Sequence, residues 1–183
     1  MKMSERKTVE PAWSFPVGVA DIPETGRHID IVADDKTRAA IAEAADLAAL
    51  PRLKAGFDLM RHGAAGLRVV GRVQAAVVQN CVVTLDPIES AVDEAIDLLF
   101  LPEAPTAPDV VELEAVEADD PPETLQNGMV DLGAVATEFL LLGIDPYPRK
   151  PDAVFEAPPA GDPASSPFAA LAALKKSDNG KEG

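Results

Sequence analysis

Side chains able to hold a metal, attack a substrate or shuttle a proton are few in this sequence. There is one cysteine, Cys81 in "QNCVVTLDPIES", and there are two histidines, His28 and His62, among 183 residues. A lone thiol cannot close an internal disulfide, and a four-thiolate zinc site is excluded by count. Neither histidine has a nucleophile at a recognisable spacing, so both read as surface or edge residues. Gly63, Gly66 and Gly71 match neither nucleotide-binding fingerprint. The carboxylates are numerous but unpatterned, and none of their runs resembles a calcium loop. The expectation is therefore no catalytic residue, no metal, no cofactor and no small-molecule substrate. Cys81 reads as a small buried hydrophobe, in an acidic neighbourhood that should raise its pKa.

Charge says more than any single residue. Sixteen Lys and Arg stand against 31 Asp and Glu, a formal net charge of −15. The excess is confined to the second half: residues 1–80 hold 11 basic and 10 acidic side chains, whereas residues 81–183 hold 5 basic and 21 acidic. Between Cys81 and Pro148 there is no Lys, Arg or His, against 16 carboxylates. Such a surface repels phosphate and attracts basic proteins, besides keeping the chain in solution. The start "MKMSERKTVEP" has no apolar run behind its basic residues, and "FLLLGI" is far short of a bilayer span. With a single cysteine, this favours a cytoplasmic protein.

The elements that must position these groups follow from periodicity. "FPVGVADIP" and "GRHIDIVA" read as short strands separated by a turn at Pro23 to Gly26. Asp34 caps a helix over "DKTRAAIAEAADLAAL", with a thin stripe of Ile41, Ala45 and Ala48 and a stop at Pro51. "PRLKAGFDLMRHG" alternates, placing Leu53, Ala55, Phe57 and Leu59 inward and Arg52, Lys54 and Asp58 outward. "GLRVVGRVQAAVVQNC" places Leu67, Val69, Val73, Ala75 and Val77 inward and Arg68, Arg72 and Gln74 outward, the two strands joined by the turn "HGAAG" as a hairpin. "IESAVDEAIDLLFLP" is a third strand, with Ile88, Val92, Ile96, Leu98 and Phe100 on one face and Glu89, Asp93 and Asp97 on an acidic outer one. A Pro- and acid-rich loop follows, with "VVELEAVE" as an extra strand inside it. After "QNG", Asp131 caps "DLGAVATEFLLLGIDP", whose Leu132, Val135, Phe139 and Leu142 lie at helical spacing before Gly143 and Pro146. The fold class expected is α+β: a hairpin-rich antiparallel sheet, barrel-like, packed with two main helices.

The last part of the chain has a different character. Seven prolines lie between Pro146 and Pro167, a composition that favours extended, poorly packed chain. In "SSPFAALAALKK", Ser166 and Pro167 suit a helix start, Phe168, Leu171 and Leu174 form a narrow apolar stripe, and Lys175 and Lys176 suit the C-terminal end of the dipole. The organisation expected is one domain over 10–148, a linker over 149–166, an amphipathic tail helix over 167–176 and disordered ends at 1–9 and 177–183.

The order of these parts, from "GRVQAAVVQNCVVTLDPIES" through "VDLGAVATEFLLLGIDPYPRKP" to "SPFAALAALKK", resembles the YceD family, the large ribosomal RNA subunit accumulation proteins of bacteria and plastids. The resemblance covers about residues 10–176. It is carried most specifically by the strand bearing Cys81, by the helix with Asp131 and Phe139, and by the tail. It implies a non-enzymatic role in the synthesis, processing or stability of large-subunit (23S) ribosomal RNA. Many members carry a Cys-x-x-Cys pair that could bind metal or form a redox pair. Here the matching tetrad is Cys81, Val82, Val83 and Thr84, so the second cysteine is missing and zinc is not carried over.

Three readings follow. In the first, the acidic surface with Glu89, Asp93 and Asp97, together with the tail residues Phe168, Leu171 and Leu174, docks a basic ribosomal or assembly protein and acts on rRNA indirectly. In the second, Arg52, Lys54, Arg68 and Arg72 contact rRNA directly, without interleaved aromatics for base stacking. The third, a metal or redox protein, needs the cysteines this chain lacks.

Overall fold

A computed structural model describes residues 11–102 and 122–155. The chain divides at Pro151 and Asp152 into two units. Of the second, only residues 152–155 are described, as a turn followed by irregular chain. The tail stripe Phe168, Leu171 and Leu174 and the "VVELEAVE" run both lie outside the described residues.

The first unit is built on a meander. Strand β1 is Pro16–Gly18 and β2 is Arg27–Val32, followed by helix α1, Asp35–Ala44. Three long strands come next: β3, Ala49–His62, β4, Gly66–Asn80, and β5, Pro87–Pro102. Two short strands, β6 at Glu123–Leu125 and β7 at Met129–Asp131, lead into helix α2, Leu132–Gly143. The main sheet has the order β2-β3-β4-β5-β6, antiparallel except for the β5–β6 pair, while β1 and β7 form a separate antiparallel pair. The α+β class and the antiparallel sheet are as expected, but among the described residues no barrel closes. Closure needs hydrogen bonds between β2 and β6, and each of these strands instead ends the sheet.

Alternation decides which face is covered. Leu53, Phe57, Leu59, Leu67, Val69, Val73 and Val77 are wholly enclosed, and Val92, Ile96 and Phe100 continue the same face across β5. Each large aliphatic or aromatic side chain removed from water on this face stabilises the fold by roughly 1.5–3 kcal/mol. Helix α1 packs on β3, while α2 packs on β5, β4 and β1. Leu132, Val135, Ala136 and Leu140 face the sheet, with Phe139 partly buried beside them. Among the described residues no helix is long and apolar enough to cross a membrane.

Two expected boundaries move. Helix α1 ends at Ala44 and not at Pro51, because Asp46 turns left-handed (φ 53°). The Leu47 amide then reaches back to the Ala42 carbonyl at 2.9 Å, and the Asp46 amide to Glu43 at 3.4 Å. This is the double closure that usually has glycine at the turn, done here by an aspartate. Released early, the chain starts β3 at Ala49 and passes through Pro51 at an irregularity in the β3–β4 register, where a missing amide costs the ladder nothing. "FPVGVADIP" likewise gives only a three-residue strand before a 3-10 turn at Val19–Asp21.

Candidate partner and nucleic-acid surface

The face of the sheet opposite the helices carries most of the charged residues singled out in the sequence. The β3–β4 register pairs Lys54 with Gln74 and Arg52 with Ala76. The β4–β5 register pairs Val70 with Asp97, Gln74 with Asp93 and Val78 with Glu89. The basic hairpin face and the acidic face of β5 are therefore one continuous surface. Across it, Arg68 donates from Nε and Nη2 to the two oxygens of Asp97 at 3.0 and 2.8 Å. Arg72 donates from Nη1 to Asp93 at 2.8 Å, and Gln74 donates to the other Asp93 oxygen at 3.3 Å. These contacts hold both carboxyls below the usual carboxylate range, Asp97 through Arg68 and Asp93 first through Arg72 and then Gln74, and they raise Arg68 further. Arg52, Lys54 and Glu89 have no ion pair among the described residues.

A shallow hollow of about 420 Å³ lies on this face between β2, β3 and β4, bordered by Asp30, Val32, Lys54, Arg72 and Gln74 over Gly56. Beside it His28 sits between two carboxylates, its Nδ1 2.7 Å from Asp58 and its Nε2 3.3 Å from Asp30. The hydrogen bond to Asp58, more than the neighbouring charge, raises the imidazole pKa. Both histidine and carboxylates are well exposed, as expected of an edge-strand residue.

Cys81 follows β4 at the head of a turn and is fully buried, as expected of a small hydrophobe. Its electrostatics are the reverse of the expectation. The Thr84 hydroxyl, then the backbone amides of Lys150, Thr84 and Val83, favour the thiolate and bring the thiol to about 6, against the opposing effect of burial. The Thr84 amide stands 3.5 Å from Sγ. The nearby carboxylate of Asp86 is tied to Lys150 Nζ at 2.7 Å. Among the described residues no group of three His, Cys, Asp or Glu side chains is arranged to hold a metal ion.

Among the described residues Asp131 is the carboxylate with the most hydrogen bonds. Its Oδ1 accepts from the amides of Gly133 and Ala134 at 3.0 and 3.2 Å, capping α2, and from the Phe15 amide at 2.7 Å. Its Oδ2 accepts from the Ser14 hydroxyl at 2.6 Å. Gly133 makes this possible, because a β-carbon there would lie 2.7 Å from the Trp13 carbonyl oxygen. Just before it, Asn127 and Gly128, with φ of 55° and 71°, form the two-residue turn of the primed type joining Gln126 to Met129.

Sequence reasoning missed the far end of α2. Leu142 was expected on the buried stripe, yet it is 74% exposed, and Leu141 is 47% exposed. The signal was present in "FLLLGI": one helix face resting on a sheet cannot bury consecutive apolar residues, so some of such a run must point away.

These features define a small α+β module that presents an open, charge-laced sheet face and a partly bare helix end. Residues 69–175 match the family described as Large ribosomal RNA subunit accumulation protein YceD. That is more than half of the chain, and the chain belongs to this family. The family is a ribosome biogenesis factor with a role in accumulation of large-subunit rRNA, and it is not known as an enzyme. No curated protein and no solved structure matches the chain.

Proposed function

We propose that this protein supports large-subunit rRNA by binding a basic ribosomal or ribosome-assembly protein, acting on the RNA indirectly and without catalysis. The observation that carries this reading is the pairing of Arg68 with Asp97 and of Arg72 with Asp93. Two of the four cations available for phosphate are already occupied by carboxylates on the neighbouring strand. An RNA backbone would have to displace both, against the field of a chain with net charge −15. A Lys- or Arg-rich protein meets no such cost. Glu89, Glu94, Glu138 and Asp145 remain without an ion pair among the described residues and are available to it.

The direct RNA reading keeps one supporting observation, that Arg52 and Lys54 have no ion pair among the described residues. A single experiment separates the two. Immobilised protein is offered total protein extracted from large ribosomal subunits and, separately, bare large-subunit rRNA. Retention of one or a few basic ribosomal proteins, salt-sensitive and indifferent to ribonuclease, is the expected result. Submicromolar retention of bare rRNA with no ribosomal protein held would replace this reading with direct binding.

A further inference from the structure

A basic partner needs a landing place, and the sheet face that carries most of the singled-out charge is a poor one because Asp93 and Asp97 already have cations and Arg52 and Lys54 stand beside them. The C-terminal end of α2 differs. Its buried side rests on the sheet through Leu132, Val135, Ala136 and Leu140, leaving Leu141 and Leu142 47% and 74% exposed. Glu138, one turn earlier, is exposed, and so is Asp145, just past the helix. Glu94 of β5 lies against the same end, since a β-carbon on Gly143 would be 2.8 Å from its Oε1. The last turn of α2 contains no basic residue. A helix C-terminus is the negative pole of its dipole, with up to four carbonyls lacking intrahelical partners, and lysine or arginine commonly sits there. Here an apolar pair is framed by three carboxylates and that pole, with no cation contributed by the helix itself.

We infer that the end of α2 is the docking surface for a short amphipathic basic segment of the partner, an inference that rests on the function proposed above. An apolar side chain of that segment covers Leu141 and Leu142. Its Lys or Arg side chains meet Glu138, Glu94, Asp145 and the terminal carbonyls of α2. A second copy of this chain is the wrong occupant, because a twofold contact through this patch would bring six carboxylates and two negative helix poles together. Val32 on β2, also exposed, differs in bordering a hollow that Lys54 and Arg72 share.

The test uses the full chain and the same total large-subunit protein, with Leu141→Ser/Leu142→Ser, Glu138→Lys and, as a control, Val32→Ser, which is 72% exposed in the wild type. All the substituted side chains are exposed, and a melting curve for each variant verifies that it folds. Removing the two leucines should weaken retention of the basic protein roughly tenfold or more, the order expected for losing one well-covered leucine. Glu138→Lys should weaken it severalfold, and Val32→Ser should leave it unchanged. A second arm uses a synthetic peptide with Leu at positions i, i+3, i+4 and i+7 and Lys elsewhere, beside a scrambled peptide of equal composition. The patterned peptide should bind more tightly and protect amides of residues 138–145 from exchange. If the wild type holds no basic ribosomal protein, the proposed function falls and this inference with it. If the wild type holds one and the leucine variant holds it equally well, or the two peptides bind alike, the α2 site alone is overturned.

Discussion

Asp93→Asn with Asp97→Asn is the sharpest probe of the charge-laced sheet face. The pair removes the negative charges that Arg68 and Arg72 engage and replaces one oxygen of each carboxylate with an amide nitrogen, while leaving side chains of the same shape whose remaining oxygen still accepts a hydrogen bond weakly. Both sites are about half exposed, so the melting temperature should barely move. What changes is the set of cations free to meet phosphate, from Arg52 and Lys54 to those two plus Arg68 and Arg72. Two added phosphate contacts should steepen the dependence of log affinity on log salt by about 1.4 for single-stranded RNA, so that affinity falls roughly sevenfold more between 50 and 200 mM salt than it does for the wild type. Fluorescence anisotropy with a labelled rRNA fragment over that salt range measures the slope directly. An unchanged slope and affinity in the double variant would refute the claim that the two ion pairs are what keep RNA off this face.

Other outcomes follow from the same geometry. Asp131→Ala removes an N-cap and the anchor of Phe15 together and should cost roughly 2–3 kcal/mol in denaturant unfolding. Gly133→Ala should cost about 1–3 kcal/mol in the same assay, since the new methyl meets backbone of the Trp13–Ser14 segment and not a side chain that can swing away. The Cys81 thiolate should appear in an ultraviolet absorbance titration with a midpoint about 6. Because this folded value lies below that of a free thiol, the thiolate's contribution to stability is present above the ordinary thiol range and is lost as pH falls through about 6. Cys81→Ala should therefore flatten the gain in stability between those limits. His28 has the opposite sign: its raised pKa gives stability at low pH that fades as pH rises through the folded value, and Asp58→Asn should lower its midpoint in a proton NMR titration.

The long strands were legible because a half-buried strand writes itself in period two, and β3, β4 and β5 carry that pattern over 14 to 16 residues. Both helix caps were legible for a local reason: an aspartate ahead of a helical run bonds amides two or three residues on, as Asp34 and Asp131 do. The end of α1 was not, since an aspartate in the left-handed region leaves no mark that glycine would have left. Nor was the pairing of β1 with β7, a contact between three-residue strands at opposite ends of the meander. The outer residues of β4 and β5 were each assigned correctly to an outer face. Taking those two faces as separate surfaces overlooked that neighbouring antiparallel strands share one, and this turned two opposing charge patches into a set of pairs. The thiol was misjudged because sequence charge counts carboxylates, whereas the sulfur is surrounded by amide and hydroxyl donors.

The tie between Phe15 and Asp131 joins groups 116 residues apart in sequence, and β1 has no strand partner but β7 among the described residues. As the chain is synthesised, the meander from β2 to β5 can assemble from neighbours already made. The N-terminal strand cannot, because its partner and the capped start of α2 are made only after β2 to β6. The inner face of the sheet must therefore wait, without the helix that covers β4 and β5, until α2 has cleared the exit tunnel. Trp13, Val17 and Leu132 should gain protection together in a pulse-labelled refolding experiment, after the sheet amides and as a single late step.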